Sequence, residues 1–405
     1  MKKRIVALGL AVLMVAGTTA IAAAVEKTIS VTPMNMTING QAVTPLKSDG
    51  TPAEVFSYDG ATYVPLRYLS ETLGIQVEWD PAAPNTAKLV NVPNFIAPVQ
   101  AGKGGLQMGL AYGAPHGTKS FGQAYAVVQG DVIVAAFVDE FQFMDASLGL
   151  NYVPNSDADF AQGYAQGKAL ASKRMVADYY SGSMAKKAKS TVRIDDNFAA
   201  IQSFAVGKTI AQVEAVAGGD KAAAVDAVSG ATLADTAGYL GAIVQAAKNA
   251  QGTQAVEFSG DSANLKLNVV YGAPHGDQSF GVGAALTDGD TIVLSYVDEF
   301  QFLDAGEGIV GVPNSTEAFA EGYAEGKVLC SKRTVADYYS SMMTNYAGST
   351  VRIDDNYNAI QNHVNGMTVA EAEALAGSEN AVDAVTGATL ADTANYVALI
   401  VEAAK

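Results

Sequence analysis

Apolar and polar positions follow one score twice along this chain. From Ala124, "AYAVVQGDVIVAAFVDEFQF" sets two apolar runs on either side of a Gln-Gly-Asp turn, and from Gly283 "GAALTDGDTIVLSYVDEFQF" does the same around Asp-Gly-Asp. Apolar runs of this length bounded by a glycine turn predict a β-hairpin in each place. After the first, "VPNSDADFAQGYAQGKALASKRMVADYYSGSM" from Val153 offers Asn155 and Ser156 as N-caps, followed by apolar residues at helical spacing, which predicts one long helix. Gly163 with Gly167, and Gly322 with Gly326, would then share a helix face, a strip suited to close helix packing or, less commonly, to a flat ring. Further on, "LADTAGYLGAIVQAAK" places Leu233, Ala237, Leu240 and Ile243 on one side, predicting a second helix that starts at or just after Thr232.

The chain compared with itself shows why the pattern recurs. "YGAPHG" at Tyr112, "VDEFQF" at Val138, "VPNS" at Val153 and "STVRIDDN" at Ser190 each reappear 159 residues later. "DAVSGATLADT", Asp226 to Thr236, returns as "DAVTGATLADT", Asp383 to Thr393, displaced by 157 because "GGDKAAAVD" has shortened to "GSENAVD". A length change of that kind suits a surface loop and would put the phrase directly after one. The repeats therefore bound two units, 94–250 and 251–405, each with a sheet and helices. A different segment, 25–93, stands before them. The expected class is α+β: two tandem domains preceded by a small, mostly β module.

Composition narrows the function. Of the 405 residues 49% are apolar and 16% charged, enough to bury several cores. A formal charge of −16 argues against a nucleic-acid groove, which needs clustered Lys and Arg. The N-terminal "MKKRIVALGLAVLMVAGTTAIAAAVEK" has a basic start, an apolar run and small residues, the layout of a secretory signal over residues 1–24; the run is short for a membrane span. No cysteine stands at its end to carry a lipid, so a lipoprotein is not expected. The single cysteine, Cys330, falls where the first repeat has Ala171, which suits a small buried side chain, and alone it makes no intrachain disulfide.

The doubled phrase is too short to be a core and is read as a site. Gly230 lacks a Cβ and Ala231 is small, so the backbone can be approached closely. At a helix start, free N–H groups favour a phosphate or another anion, with the hydroxyls of Thr232 and Thr389 beside it. "DAVSGAT" and "DAVTGAT" resemble the flavinylation motif of FMN-binding domains, known from the sodium-pumping NADH:quinone reductase, Rnf-type complexes and exported flavoproteins of extracellular electron transfer. The resemblance is confined to the motif and its setting. It implies that a flavin transferase using FAD and magnesium joins FMN through a phosphoester to Thr232 and to Thr389. It also implies that Asp226, Ser229, Gly230 and Ala231, with Asp383, Thr386, Gly387 and Ala388, form the surrounding cofactor site. The "ETPG" stretch of the respiratory members has no counterpart here, where "DEFQF" stands instead.

Other repeated residues are weighed beside it. His116 and His275, in "APHG" loops, either face the flavin ring and shift its potential or hold their own turns; His363 has no histidine opposite it. Arg193 and Arg352 are each followed by two aspartates, and pairing with those is the expected role over neutralising a phosphodiester. Tyr179, Tyr180, Tyr338 and Tyr339 are expected in core and rim rather than as stacking partners. The segment with "YDGATYVPLRYLSETLG" and "VEWD" resembles the copper amine oxidase N-terminal-like domain of exported proteins, which implies a stalk or wall-associating unit. It holds neither His nor Cys between Val25 and Pro93, so an imidazole or thiolate metal site is unsupported, and Trp79 is expected in its core.

"GVGAAL" at Gly281 lacks the third glycine of a dinucleotide fingerprint, and the chain has no G-x-S-x-G, H-E-x-x-H or C-x-x-C. The expectation is thus an extracellular electron carrier with two covalent FMN groups, rather than an enzyme with its own substrate site. Its partners would be the transferase and membrane or extracellular redox proteins, with possible cell-wall association and no nucleic acid. The alternative is a cell-surface binding or structural protein whose repeats keep the fold without flavin.

Overall fold

The computed structural model describes residues 4–8, 26–38, 41–47, 51–72, 76–79, 87–90 and 104–405. Residues 9–25, most of the expected signal, lie outside the described residues, as does the side chain of Trp79. The chain divides into two compact units, Met1–Pro98 and Val99–Lys405.

The first unit is mostly β. Strand β1 (Arg4–Leu8) pairs antiparallel with β2 (Glu26–Ser30). Next, β3 (Thr32–Pro33), β4 (Met36–Ile38), β5 (Gln41–Val43), β6 (Phe56–Tyr58) and β7 (Ala61–Tyr63) form a β3-β6-β7 sheet and a β4-β5 pair. The Asp59-Gly60 turn between β6 and β7 has positive φ at both residues, which matches the right-handed twist of a tight hairpin. It sets the rings of Phe56 and Tyr63 in a stack, centroids 5.3 Å apart. Helix α1 (Leu66–Thr72) and the pair β8 (Gln76–Trp79) with β9 (Ala87–Val90) complete the unit.

In the second unit, β10 (Leu106–Gly113), β11 (Ser120–Gln129), β12 (Val132–Asp145) and β13 (Lys168–Ser172) make a four-stranded antiparallel meander. The predicted hairpin is β11 and β12, turning at Gly130 with φ 67°. Helices α2 (Ala177–Ala188), α3 (Ile194–Ala205), α4 (Ile210–Ala217), α5 (Lys221–Ala227) and α6 (Thr236–Ala250) cover one face. The second repeat rebuilds this with β14 (Leu265–Gly272), β15 (Ser279–Asp288), β16 (Thr291–Asp304) and β17 (Lys327–Ser331). Its helices are α7 (Ala336–Ala347), α8 (Ile353–Val364), α9 (Val369–Ala376), α10 (Ala381–Ala384) and α11 (Thr393–Ala404). The mixed α+β class with two similar sheet-and-helix units matches the sequence expectation.

Strand alternation assigns each face. Phe121, Tyr125, Val127, Phe137 and Phe141 point away from the helices, while Ala124, Ala126, Val128, Ala136 and Val138 lie beneath them. The faces turned from the helices meet: one buried cluster mixes Phe121, Tyr125 and Phe141 with Phe280, Val282 and Phe300 of the other repeat. The cross-strand pairs Phe121–Phe141 and Phe280–Phe300 are stacked at 4.8 and 4.9 Å, and Phe121 lies 5.8 Å from Phe300. The two repeats therefore share one core.

The single long helix expected from Val153 is absent. Its span is a 3-10 turn (Asp159–Gly163), strand β13 and helix α2. Asn155 caps no helix: in left-handed backbone, φ 63°, it donates both amide hydrogens to Gly276 O and Ser279 O of the other repeat at 2.6 Å. Asn314 does the same to Gly117 O and Ser120 O. Gly163 sits in the 3-10 turn rather than on a helix strip. A Cβ there would stand 2.1 Å from Cγ of Phe302 across the repeat boundary, and one at Gly322 would meet Phe143 just as closely. Gly167, φ 74°, forms the turn into β13.

Candidate functional site

The repeated phrase starts inside short helix α5, not after a loop, and the two-residue deletion shortens that helix from Lys221–Ala227 to Ala381–Ala384. Asp226 and Asp383 are exposed in these helices. The chain then turns through Ser229 and Gly230, whose φ of 89° (91° at Gly387) is strained for any residue with a Cβ. Ala231 is buried, Ala388 half-buried, and Ser229, Thr232, Thr386 and Thr389 are exposed. Helix α6 begins at Thr236, four residues past Thr232 rather than at it, because Thr236 closes its own turn by donating through N and Oγ1 to Leu233 O. The site hydroxyl thus stands on the turn before the helix.

A buried asparagine holds that turn. Asn197, fully buried on α3, accepts the Thr232 N–H at 2.6 Å and its hydroxyl at 3.3 Å through Oδ1, while Nδ2 donates to Val192 O and Arg193 O. Asn356 repeats the set around Thr389 with the same two distances. Among the described residues, none accepts a hydrogen bond from the N–H of Leu233 or Ala234, or of Leu390 or Ala391. Asn197→Ala should cost about 1–3 kcal/mol, since it strands the Thr232 N–H and Val192 O, while Arg193 O keeps the backbone N–H of residue 197. A urea midpoint equal to the parent's would remove Asn197 from that role.

The histidines are brought to the same place. His116 Nδ1 lies 2.7 Å from Asp235 Oδ2 and His275 Nδ1 2.7 Å from Asp392 Oδ2, each aspartate three residues after the motif threonine. Both imidazoles are 42% and 46% exposed, so each pair is a surface contact tying the "APHG" loop to the motif turn. Arg193 takes the bland role, bidentate to Asp195 and paired with Asp178; Arg352 does likewise with Asp354 and Asp337. Cys330 is buried on β17, where burial pushes its thiol up to about 12. Tyr339 is core, Tyr180 half-buried, and Tyr179 and Tyr338 exposed. His363 lines an open cleft of about 500 Å³ with Asp355, Asn358, Asn362, Thr386 and Gly387, next to the second motif.

Sequence reasoning missed what "VDEFQF" carries. In mid-strand, Asp139 faces the other repeat and Glu140 faces the helices, both fully buried. Asp139 Oδ2 accepts the Ser172 hydroxyl at 2.5 Å and, across the boundary, the Tyr271 hydroxyl at 2.6 Å; Asp298 likewise accepts Ser331 and Tyr112. Burial pushes both aspartates above the usual carboxylate range, partly offset by Arg174 and Arg333. Glu140 accepts from Lys173 at 2.5 Å, from Ser120 at 2.5 Å and from Tyr239. At Glu299 burial disfavours the charged form, but Lys332 at 2.5 Å with Ser279 and Tyr396 outweighs it and holds the carboxyl below its ordinary value. The signal was an acidic pair between Val138 and Phe141, at positions where a half-exposed strand would leave only one side wet.

Among the described residues no group of three or more His, Cys, Asp or Glu could hold a metal ion, and no helix is long and apolar enough to cross a membrane. Neither the curated proteins nor the solved structures yield a match to this chain. No FMN-binding family matches the repeats. Residues 6–87 match the family described as copper amine oxidase N-terminal domain, a match that begins within the stretch read as a signal, and the module before the repeats is thus similar to that family.

Proposed function

We propose that the chain is an exported electron carrier holding one FMN in each repeat, joined through a phosphoester to Thr232 and to Thr389. The observation that carries this reading is the twin motif turn: an exposed threonine hydroxyl, held by a buried asparagine, beside unengaged N–H groups, built identically twice. The residues fit a phosphoester. The open N–H groups of Leu233 and Ala234 can receive a phosphoryl oxygen, and the left-handed glycine leaves the approach clear. They fit a freely dissociating phosphate poorly, because Asp355 lines the cleft at the second motif and Asp235 stands three residues beyond the threonine. Like charges of that kind weaken reversible binding and leave a covalent link as the means of retention.

When bound, FMN would supply one- and two-electron redox chemistry. The chain's own part is positional: Asn197 and Asn356 fix the attachment points, and the His116–Asp235 and His275–Asp392 pairs close the loops against them.

In cells with an active flavin transferase, the intact mass should show two added flavins. Thr232→Val and Thr389→Val should each remove one and leave the other, since each turn is exposed and supported within its own repeat. A protein carrying no flavin from such cells would overturn the reading and favour the surface protein with flavin-free repeats.

A further inference from the structure

A cleft of about 1400 Å³ runs between edge strand β10 of the first repeat, the linker 253–260, and β16 with α8 of the second. Seven of its lining side chains are Asn or Gln, and its charged members are Glu257, Asp288 and Arg333. Three of the five N–H groups of Arg333 go to Val297 O, Asn358 Oδ1 and Gln361 Oε1, and its guanidinium lies 4.7 Å from the Tyr296 ring centre.

The two repeats diverge at this wall in one direction. Ser295, Tyr296, Thr334, Asn358 and Asn365 line the cleft. The matching positions of the first repeat are Ala136, Phe137, Met175, Ala199 and Val206. Asn362 stands opposite Ser203, an exchange that lengthens the polar group. Elsewhere the same strand and helix keep "VDEFQF" and "RIDDN" unchanged, so the polar set is added on top of a retained fold.

We propose that this cleft binds a neutral, polyhydroxylated ligand, an oligosaccharide. Gln254 and Asn362 offer a donor and an acceptor on one head, while Asn358, Gln361 and Asn365, whose oxygens already accept within the protein, offer amide N–H donors, a set that suits neighbouring hydroxyls. A purely apolar ligand would strip water from those amides without replacing it. An anion would meet Glu257 and Asp288 on a chain of net charge −16, against one cation in the lining, Arg333, already tied to three protein oxygens. Tyr112 and Phe258 in the lining supply ring surface for the C–H face of a sugar. The inference does not depend on flavin attachment.

The test is calorimetry on the full chain made without a flavin transferase, titrated with neutral hexasaccharides of glucose, N-acetylglucosamine, mannose and galactose. At least one should bind saturably. The triple variant Asn358→Ala, Asn362→Ser, Asn365→Val, which installs the first-repeat residues, should weaken it at least tenfold. Gln254→Ala, in the exposed linker and outside any packed element, should weaken it as well. Ser203→Asn in the first repeat should leave it unchanged. No binding of any hexasaccharide up to ~10 mM, a range in which even weak sites register, would overturn the proposal. So would binding that both cleft variants leave intact, or a preference for an acidic hexasaccharide.

Discussion

Lys332→Met is expected to destabilise the repeat unit by about 3–5 kcal/mol at neutral pH, the range seen when one partner of a buried ion pair is removed. Lys332 is 1% exposed, and its ammonium is the cation that lets Glu299 stay ionised without water. The hydroxyls of Ser279 and Tyr396 remain in the variant, but two neutral donors do not replace a full charge at 2.5 Å. The pH dependence carries the sign of the argument. In the parent, the folded Glu299 carboxyl lies below its unfolded value, so the group's stabilisation is present above the unfolded value and fades as pH falls through the folded one. In the variant burial dominates and raises the carboxyl, so folding takes up a proton and the loss shrinks on acidification. Urea unfolding of both proteins from about pH 8 to about pH 5 should show the gap narrowing. A gap that is small at neutral pH, or constant across the range, would mean that the pair is not what satisfies Glu299.

How far these features were legible from the residues depends on the period each one obeys. The hairpins β11–β12 and β15–β16 were legible because long apolar runs around a glycine turn have few other uses. The stretch from Val153 was not, because Val153, Phe160 and Tyr164, seven and four residues apart, also fit a helical spacing. Their burial is instead set by contacts across the repeat boundary, such as Phe160 against Phe302. Asn155 and Ser156 look like caps for the same local reason, and nothing within the repeat says that the Asn155 amide serves Gly276 O and Ser279 O. The motif threonines stood out because the phrase is doubled, while the helix start was placed one turn too early: Leu233 continues the apolar face although Thr236 starts the helix. Asp139 and Glu140 were read only as part of a repeated block, since charged residues are rarely buried unless paired and the partners, Lys173 and Tyr271, are distant in sequence.

The same shared seam bears on how the repeats fold. A protease site placed in the linker between Gln251 and Gly260 should, once cut in the full chain, leave the two halves together on gel filtration until denaturant is added. Made alone, neither half should exist as a folded monomer. The first repeat covers Phe280, Phe300, Phe302 and Phe319 of the second. At roughly 150–250 Å² per aromatic side chain, those four rings would expose on the order of 600–1000 Å². At ~25 cal/mol per Å² that exposure costs roughly 15–25 kcal/mol, more than the 5–15 kcal/mol by which ordinary domains are stable. Asp298 would lose the Tyr112 hydroxyl at the same time. Because the two faces are alike, an isolated half has one escape, pairing with its own copy, and homodimer or aggregate is the expected product. A monomeric half with a single sharp thermal transition would show that the aromatic seam is dispensable and that each repeat is a domain in its own right.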